Sequence, residues 1–235
     1  MTIPLPDMPV AINRKRLHEE IVLFVQHRIL TGEWPHGDKM PTERELATMF
    51  GVNRGTVREA LRKLEALELI DIRHGDGVYV KDYLESGNLE LIRPLLYLRG
   101  LPGVDVVDNI LELRRLMVPE MAAGAAKKRT EAHLADLKAV ISDPALSMKD
   151  KDIRLHHIIA RASHNILYVI VLNFFYRLSG EVIASYFDNP ETTERTCRFH
   201  ADIYNAIKNQ HPVKAKKIMN DILAYAEEKI RKTME

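Results

Sequence analysis

The chain has 235 residues, a net charge of +1 and 46% hydrophobic residues, values of an ordinary globular protein long enough for two domains. Its one cysteine, Cys197, excludes an intramolecular disulfide and fits a reducing cytoplasm. The N-terminus carries no basic-apolar-small leader, and the longest apolar run, Ile166 to Phe175, is broken by Asn173. That run falls short of the roughly 20 residues a membrane span needs, so a cytoplasmic protein is expected.

In chain order, residues 1–13 hold Pro4, Pro6 and Pro9 with no apolar period and are expected to form a flexible arm. A first helix is expected over Arg14–Leu30, burying Leu17, Ile21, Phe24 and Val25. Gly32, Pro35 and Gly37 end it, and Trp34 is expected to anchor the loop by packing. A short helix starts near Thr42, which has capping-box spacing to Glu45. A tight turn at Gly51-Val52 leads to Asn53, a good N-cap, and to a helix with Val57, Ala60, Leu61, Leu64 and Leu67 in one apolar stripe. Arg54, Arg58 and Arg62 lie four apart on another face. Helix, tight turn and arginine-bearing helix is the pattern of a helix-turn-helix, whose second helix enters the DNA major groove. Ile70-Asp-Ile72 and Val78-Tyr-Val80 then alternate around Asp76-Gly77, a hairpin signal, and supply a wing with Arg73 and His74 near its tip.

From Arg14 to Asp82 the chain has 12 Lys+Arg and 12 Asp+Glu, so bulk charge cannot drive nucleic-acid binding and the placement of the arginines must carry it. Two half-sites read by a dimer would offset that neutrality. Beyond a linker expected at 83–87, helices are expected at 89–98, 104–128, 131–141, 149–162, 166–187, 191–208 and 212–233, with a kink at Pro119. The expected fold is mainly α: a winged helix-turn-helix over 14–82 with a two-stranded wing, then an all-α bundle of six or seven helices over 88–235.

The run Gly37-Asp-Lys-Met-Pro-Thr-Glu-Arg-Glu-Leu-Ala47, the run Val52 to Leu64 and His74-Gly-Asp-Gly77 resemble the GntR family of bacterial transcription regulators. The resemblance implies DNA contacts by Arg44, Asn53, Arg54, Thr56, Arg58, His74 and Gly75, and a double-stranded, palindromic operator. Gly55 departs from it, standing where many members carry Ser or Thr.

The second half, with Glu112 to Ala123, Asp152-Ile-Arg-Leu-His156, Ala162-Ser-His-Asn165 and His200, resembles the effector-binding domain of the FadR branch. That implies a homodimer and a small-molecule effector. In many such domains an Asp and a His four apart, with two further His, bind a divalent metal (Zn, Ni or Mn). Asp152 and His156 have the spacing to project from one helical face, and His200 matches the next ligand. The last ligand position falls at Ile222, which cannot ligate, so either three protein ligands hold a labile metal or the group is a metal-free polar floor. The runs 163–173 and 186–191 resemble the fatty-acid-responsive members, which makes a fatty acyl-CoA one candidate effector. A small carboxylate held by Arg114 or Arg115 is the other, the alternative for those arginines being salt bridges to neighbouring helices. Two rival functions are a metal-dependent hydrolase on Asp152, His156 and His200, and an effector-independent DNA-binding protein.

Overall fold

The computed structural model describes residues 14–97, 106–178 and 186–234, so the expected arm at 1–13 lies outside the described residues. The chain divides into two compact units, Met1–Val106 and Val107–Glu235.

In the first unit, α1 (Arg14–Leu30), α2 (Glu43–Phe50) and α3 (Arg54–Ala66) precede the antiparallel strands β1 (Ile70–Arg73) and β2 (Gly77–Val80). Local chemistry sets the α2–α3 corner. The Thr42 hydroxyl accepts from the Glu45 N–H while the Glu45 carboxylate accepts from the Thr42 N–H, completing the capping box. Gly51 ends α2 at φ 64°, a left-handed conformation, and Asn53 Oδ1 accepts from the Thr56 N–H at 2.9 Å to open α3. Because nothing crowds a Cβ at Gly51, Gly51→Ala carries only the backbone strain. It is expected to lower unfolding free energy by about 1 kcal/mol in urea titration.

The apolar stripe of α3 is buried as its spacing predicts: Val57, Ala60, Leu61, Leu64 and Leu67 join Ile21, Val25, Leu46 and Ile70 in one core. Trp34 packs edge-on to Phe24, with ring centroids 6.3 Å apart. Two differences from expectation concern the wing. Its turn is centred on His74-Gly75 rather than Asp76-Gly77, since Gly75 takes φ 79° and the Asp76 N–H donates to the Arg73 carbonyl. The loop before α2 also lines up as a third edge: Met40 N–H donates to Val78 O, Gly37 N–H to Val80 O and Val80 N–H to Asp38 O.

The stretch 83–87, expected as a linker, is mostly helical and tied to the first unit. After β2 come α4 (Tyr83–Ser86), a 3-10 turn at Leu89–Leu91 and α5 (Ile92–Tyr97). Ser86 Oγ donates to Glu68 O, Asn88 Nδ2 donates to Ala66 O, and Leu91 is buried in the first core. Its polar composition reflects these caps and ties.

The second unit, among the described residues, is helical throughout: α6 (Val106–Lys128), α7 (Glu131–Ser142), α8 (Met148–Ala162), α9 (Ile166–Leu178), α10 (Pro190–Lys208) and α11 (Pro212–Met234). Residues 98–105 and 179–185, over which helix ends were expected, lie outside the described residues. Pro119 lies buried inside α6. Thr130, Ser147 and Asn189 cap α7, α8 and α10 through their side-chain oxygens. α10 packs on α7, α8 and α11, and Met121, Leu137, Leu155, Ile159, Ile203, Ile207 and Met219 fill the core.

Candidate DNA interface and effector cavity

The outer face of α3 presents Arg54, Arg58 and Arg62 to solvent, with Arg44 exposed on α2. Among the described residues no side-chain hydrogen bond or close ion pair holds Arg44, Arg54 or Arg62, although the charges of Arg54 and Arg62 help lower the Glu43 carboxyl. Arg58 differs. Its Nε–H donates to Glu43 Oε1 at 3.2 Å and its Nη2–H to Glu43 Oε2 at 2.9 Å, across the turn from α2. That hydrogen bond holds the Glu43 carboxyl below its ordinary range.

Asn53 and Thr56 are partly committed to the cap, because Asn53 Oδ1 accepts from both the Thr56 N–H and, at 3.3 Å, its hydroxyl. A Cβ at Gly55 would sit 3.0 Å from that same oxygen, so a side chain there would press on the cap. This gives a local reason for the glycine that departs from the family pattern. His74 and Gly75 stand exposed at the tip of the wing. Behind them Asp76 accepts from Lys39 Nζ at 3.0 Å and from the Tyr79 hydroxyl at 2.9 Å, and the Arg73 guanidinium lies 4.2 Å over the Tyr79 ring. These contacts fix the base of the wing, and neither Lys39 nor Tyr79 stood out in the sequence.

In the second unit, Arg114, Asp152, His156, Tyr176, Tyr186, Thr196 and Ile222 line a cavity of about 40 Å³. α8 carries Asp152 and His156 one turn apart, and α10 brings His200 to them. His200 Nε2–H donates to Asp152 Oδ1 at 3.0 Å, and His156 Nδ1–H donates to the Asp152 backbone carbonyl at 2.9 Å. Burial pushes the Asp152 carboxyl up, but the neighbouring His156 and His200 outweigh it and its pKa ends below the ordinary value. Burial lowers His156 despite the opposing pull of Asp152, and Nδ1 carries the proton it donates to the Asp152 carbonyl. His156 Nε2 and the Tyr176 hydroxyl are buried without a hydrogen-bond partner among the described residues. Burial, helped by Asp152, raises Tyr176 well above its ordinary value, and it remains a donor. Burial also pushes Tyr186 up to about 12. Half-buried Arg114 completes the lining with no ion-pair partner among the described residues.

Residues 17–80 match the bacterial regulatory proteins of the gntR family, and residues 81–234 match the FadR C-terminal domain. The chain belongs to the GntR family. Its two parts are thus those of a DNA-binding transcription regulator of the GntR type with a FadR C-terminal domain. The regulator is similar to Mce2R of Mycobacterium tuberculosis, 40% identical over 126 residues, or 54% of this chain; the match spans about half, 52%, of that relative's length. It is 29% identical over 182 residues to a fatty acid metabolism regulator protein of a Shewanella species (strain MR-4), covering 77% of this chain and 76% of the relative. Among solved structures, Lar of Listeria monocytogenes shares the fold at a TM-score of 0.51 and 16% identity, covering 96% of this chain and 99% of that one.

In this GntR-family regulator the two adjacent arginines of α6 have separate fates. Arg115 pairs with Glu227 at 3.3 Å, the salt-bridge alternative, whereas Arg114 lines the cavity. The metal expectation meets a poor donor set. Among the described residues no group of three or more His, Cys, Asp or Glu side chains is disposed to hold a metal ion, and buried Ile222 fills the fourth position. His156 and His200 each hydrogen-bond to Asp152, one to its backbone carbonyl and the other to its carboxylate. Tyr176 escaped the sequence reading because it directly follows the apolar run of α9, where an aromatic reads as core. Among the described residues no helix is long and apolar enough to cross a membrane.

Proposed function

We propose that this regulator acts as a homodimer on a palindromic double-stranded operator, and that a small anionic metabolite bound in the second unit sets its operator affinity. The base-reading helix is α3, with Arg54 and Arg58 reaching guanine acceptors, Arg44 assisting, Asn53 and Thr56 at the helix start, and His74 and Gly75 on the wing. The observation that carries the DNA side is the row of solvent-facing arginines on a helix fixed by a capping box, a left-handed glycine and an Asn cap. On the effector side it is a half-buried Arg114 beside the orphaned Tyr176 hydroxyl, both donors to an anion, with His156 Nε2 left as an acceptor for a donor group of the same ligand. Buried polar groups left unpaired are costly, so a ligand supplying their partners binds favourably. The Asp152 backbone carbonyl, accepting from Nδ1–H, holds His156 in the tautomer that leaves Nε2 without a proton.

A cavity of about 40 Å³ takes a carboxylate-sized group and no acyl chain. That favours a small organic acid. The fatty acid metabolism regulators among the relatives favour a fatty acyl-CoA, which requires the cavity to open further. Melting the protein with a panel of short carboxylates and acyl-CoA thioesters separates the two.

The DNA reading is tested by selecting duplexes from a random library. Enriched sequences are expected to carry two inverted half-sites about one or two helical turns apart. Arg54→Ala is expected to weaken the best duplex by about 1–3 kcal/mol in a fluorescence anisotropy titration without shifting the melting temperature. Equal binding by wild type and Arg54→Ala would remove Arg54 from the groove.

A further inference from the structure

We infer that Glu43 is a specificity-determining residue of the DNA interface: it grips Arg58 from the side and leaves the arginine's outer fork to read a base. The inference rests on the DNA-binding reading above and adds to it a carboxylate that touches no base itself.

Glu43 opens α2 and Arg58 sits in the second turn of α3, and the tight corner between the helices brings them together. A guanidinium carries five N–H groups in a fixed plane. Glu43 takes the Nε–H and one Nη2–H. Both Nη1–H groups and the second Nη2–H remain, and they form the end-on fork that matches the O6 and N7 acceptors of guanine. The side chains are not sealed in: Arg58 is 56% exposed and Glu43 34%, so the fork is open to a partner.

Charge points the same way. A bidentate carboxylate cancels most of the guanidinium's pull on phosphate and repels the backbone directly. Arg54 and Arg62 feel Glu43, and Arg44 feels Glu45, only through space, so they keep more of their attraction than the bidentately held Arg58. Arg58 is therefore restrained twice, in direction and in charge. A free arginine has many rotamers and binds any phosphate within reach, whereas a buttressed one gains only where a guanine meets its fork. In a unit whose charge balances at 12 against 12 between Arg14 and Asp82, this makes Arg58 a reader rather than a general anchor.

The test uses the full chain as wild type, Glu43→Gln and Glu65→Gln, the last removing one exposed negative charge further along α3. Each is titrated at several salt concentrations against the duplex that wild type enriches most and against a scrambled duplex of equal composition. For Glu43→Gln the ratio of the two affinities is expected to fall roughly tenfold, mainly through weaker binding of the enriched duplex. The salt slope on scrambled DNA should steepen by about one, as Arg58 becomes free to pair with a phosphate. Glu65→Gln should shift both affinities together and leave the ratio unchanged. A Glu43→Gln ratio equal to that of wild type or Glu65→Gln overturns the inference, as does tighter binding of the enriched duplex, which would make Glu43 a mere competitor. If wild type enriches no sequence, the DNA reading fails and takes this inference with it. If wild type discriminates and Glu43→Gln does so equally, only this inference fails.

Discussion

Leu64→Ala is expected to remove a large part of the first unit's stability and to abolish operator binding near 37 °C. Leu64 is fully buried, near the end of α3, in the core that α1 and α3 build together. Truncating such a leucine costs about 2–5 kcal/mol, through lost transfer energy and the cavity left behind. Single domains hold only about 5–15 kcal/mol in total, so this one change takes a sizeable share. The molecule supplies its own probe. Its single tryptophan, Trp34, packs on Phe24 in the same core, so its fluorescence reports the first unit selectively. With a urea slope of about 1–3 kcal/mol per molar, the Trp34 transition should move down by roughly 1–3 M. The effector cavity is lined from a separate core, so ligand-induced melting shifts of the second unit should survive. A Trp34 midpoint within a few tenths of a molar of wild type would mean that α3 is not seated by this stripe.

Which parts of this structure were legible in the sequence follows from how far apart the interacting residues are. The corner of α2 and α3 is written locally: Thr42 and Glu45 are three apart, Gly51 stands where the chain turns left-handed, and Asn53 caps three residues on. The stripe from Val57 to Leu67 repeats at helical spacing and is buried accordingly. The Glu43–Arg58 grip spans 15 residues and two helices, and no local pattern announces it. The third edge of the wing was hidden for the same reason, since Gly37 and Met40 bond to a strand about 40 residues later.

Arg114 and Arg115 illustrate a finer limit. Adjacent helical residues point about 100° apart, so composition identifies both while only packing decides which one meets the cavity and which meets Glu227. The segment 83–87 illustrates the opposite limit. Asp82, Ser86 and Asn88 look like linker residues, yet their side chains cap turns and bond to the backbone of α3's C-terminal end.

Arg114→Met should eliminate effector binding while leaving ligand-free operator affinity intact. The substitution keeps an unbranched apolar stem and removes the one arginine or lysine side chain among the described residues that line the cavity. Arg114 already acts on its neighbours: its charge helps lower the carboxyl of Asp152 and works against protonation of His156. An anionic ligand would neutralise that charge, and truncating one side of a desolvated, hydrogen-bonded charge pair costs about 2–5 kcal/mol. At about 1.4 kcal/mol per tenfold, the loss lies between roughly 30-fold and several thousand-fold. Calorimetric titration with the carboxylate that most raises wild-type melting measures it directly. Arg115→Met is the matched control, because Arg115 is half exposed and its buried partner Glu227 keeps a second guanidinium, Arg231, at 3.0 Å. Effector affinity should be unchanged there. The regulatory consequence is then fixed by linkage: an effector shifts operator affinity only by its preference between DNA-competent and incompetent states, and by the same factor in both directions. Wild type must therefore show a weaker or stronger effector affinity when operator is bound, whereas Arg114→Met must show an operator affinity indifferent to the carboxylate. Retained effector response in Arg114→Met would place the anion outside this cavity.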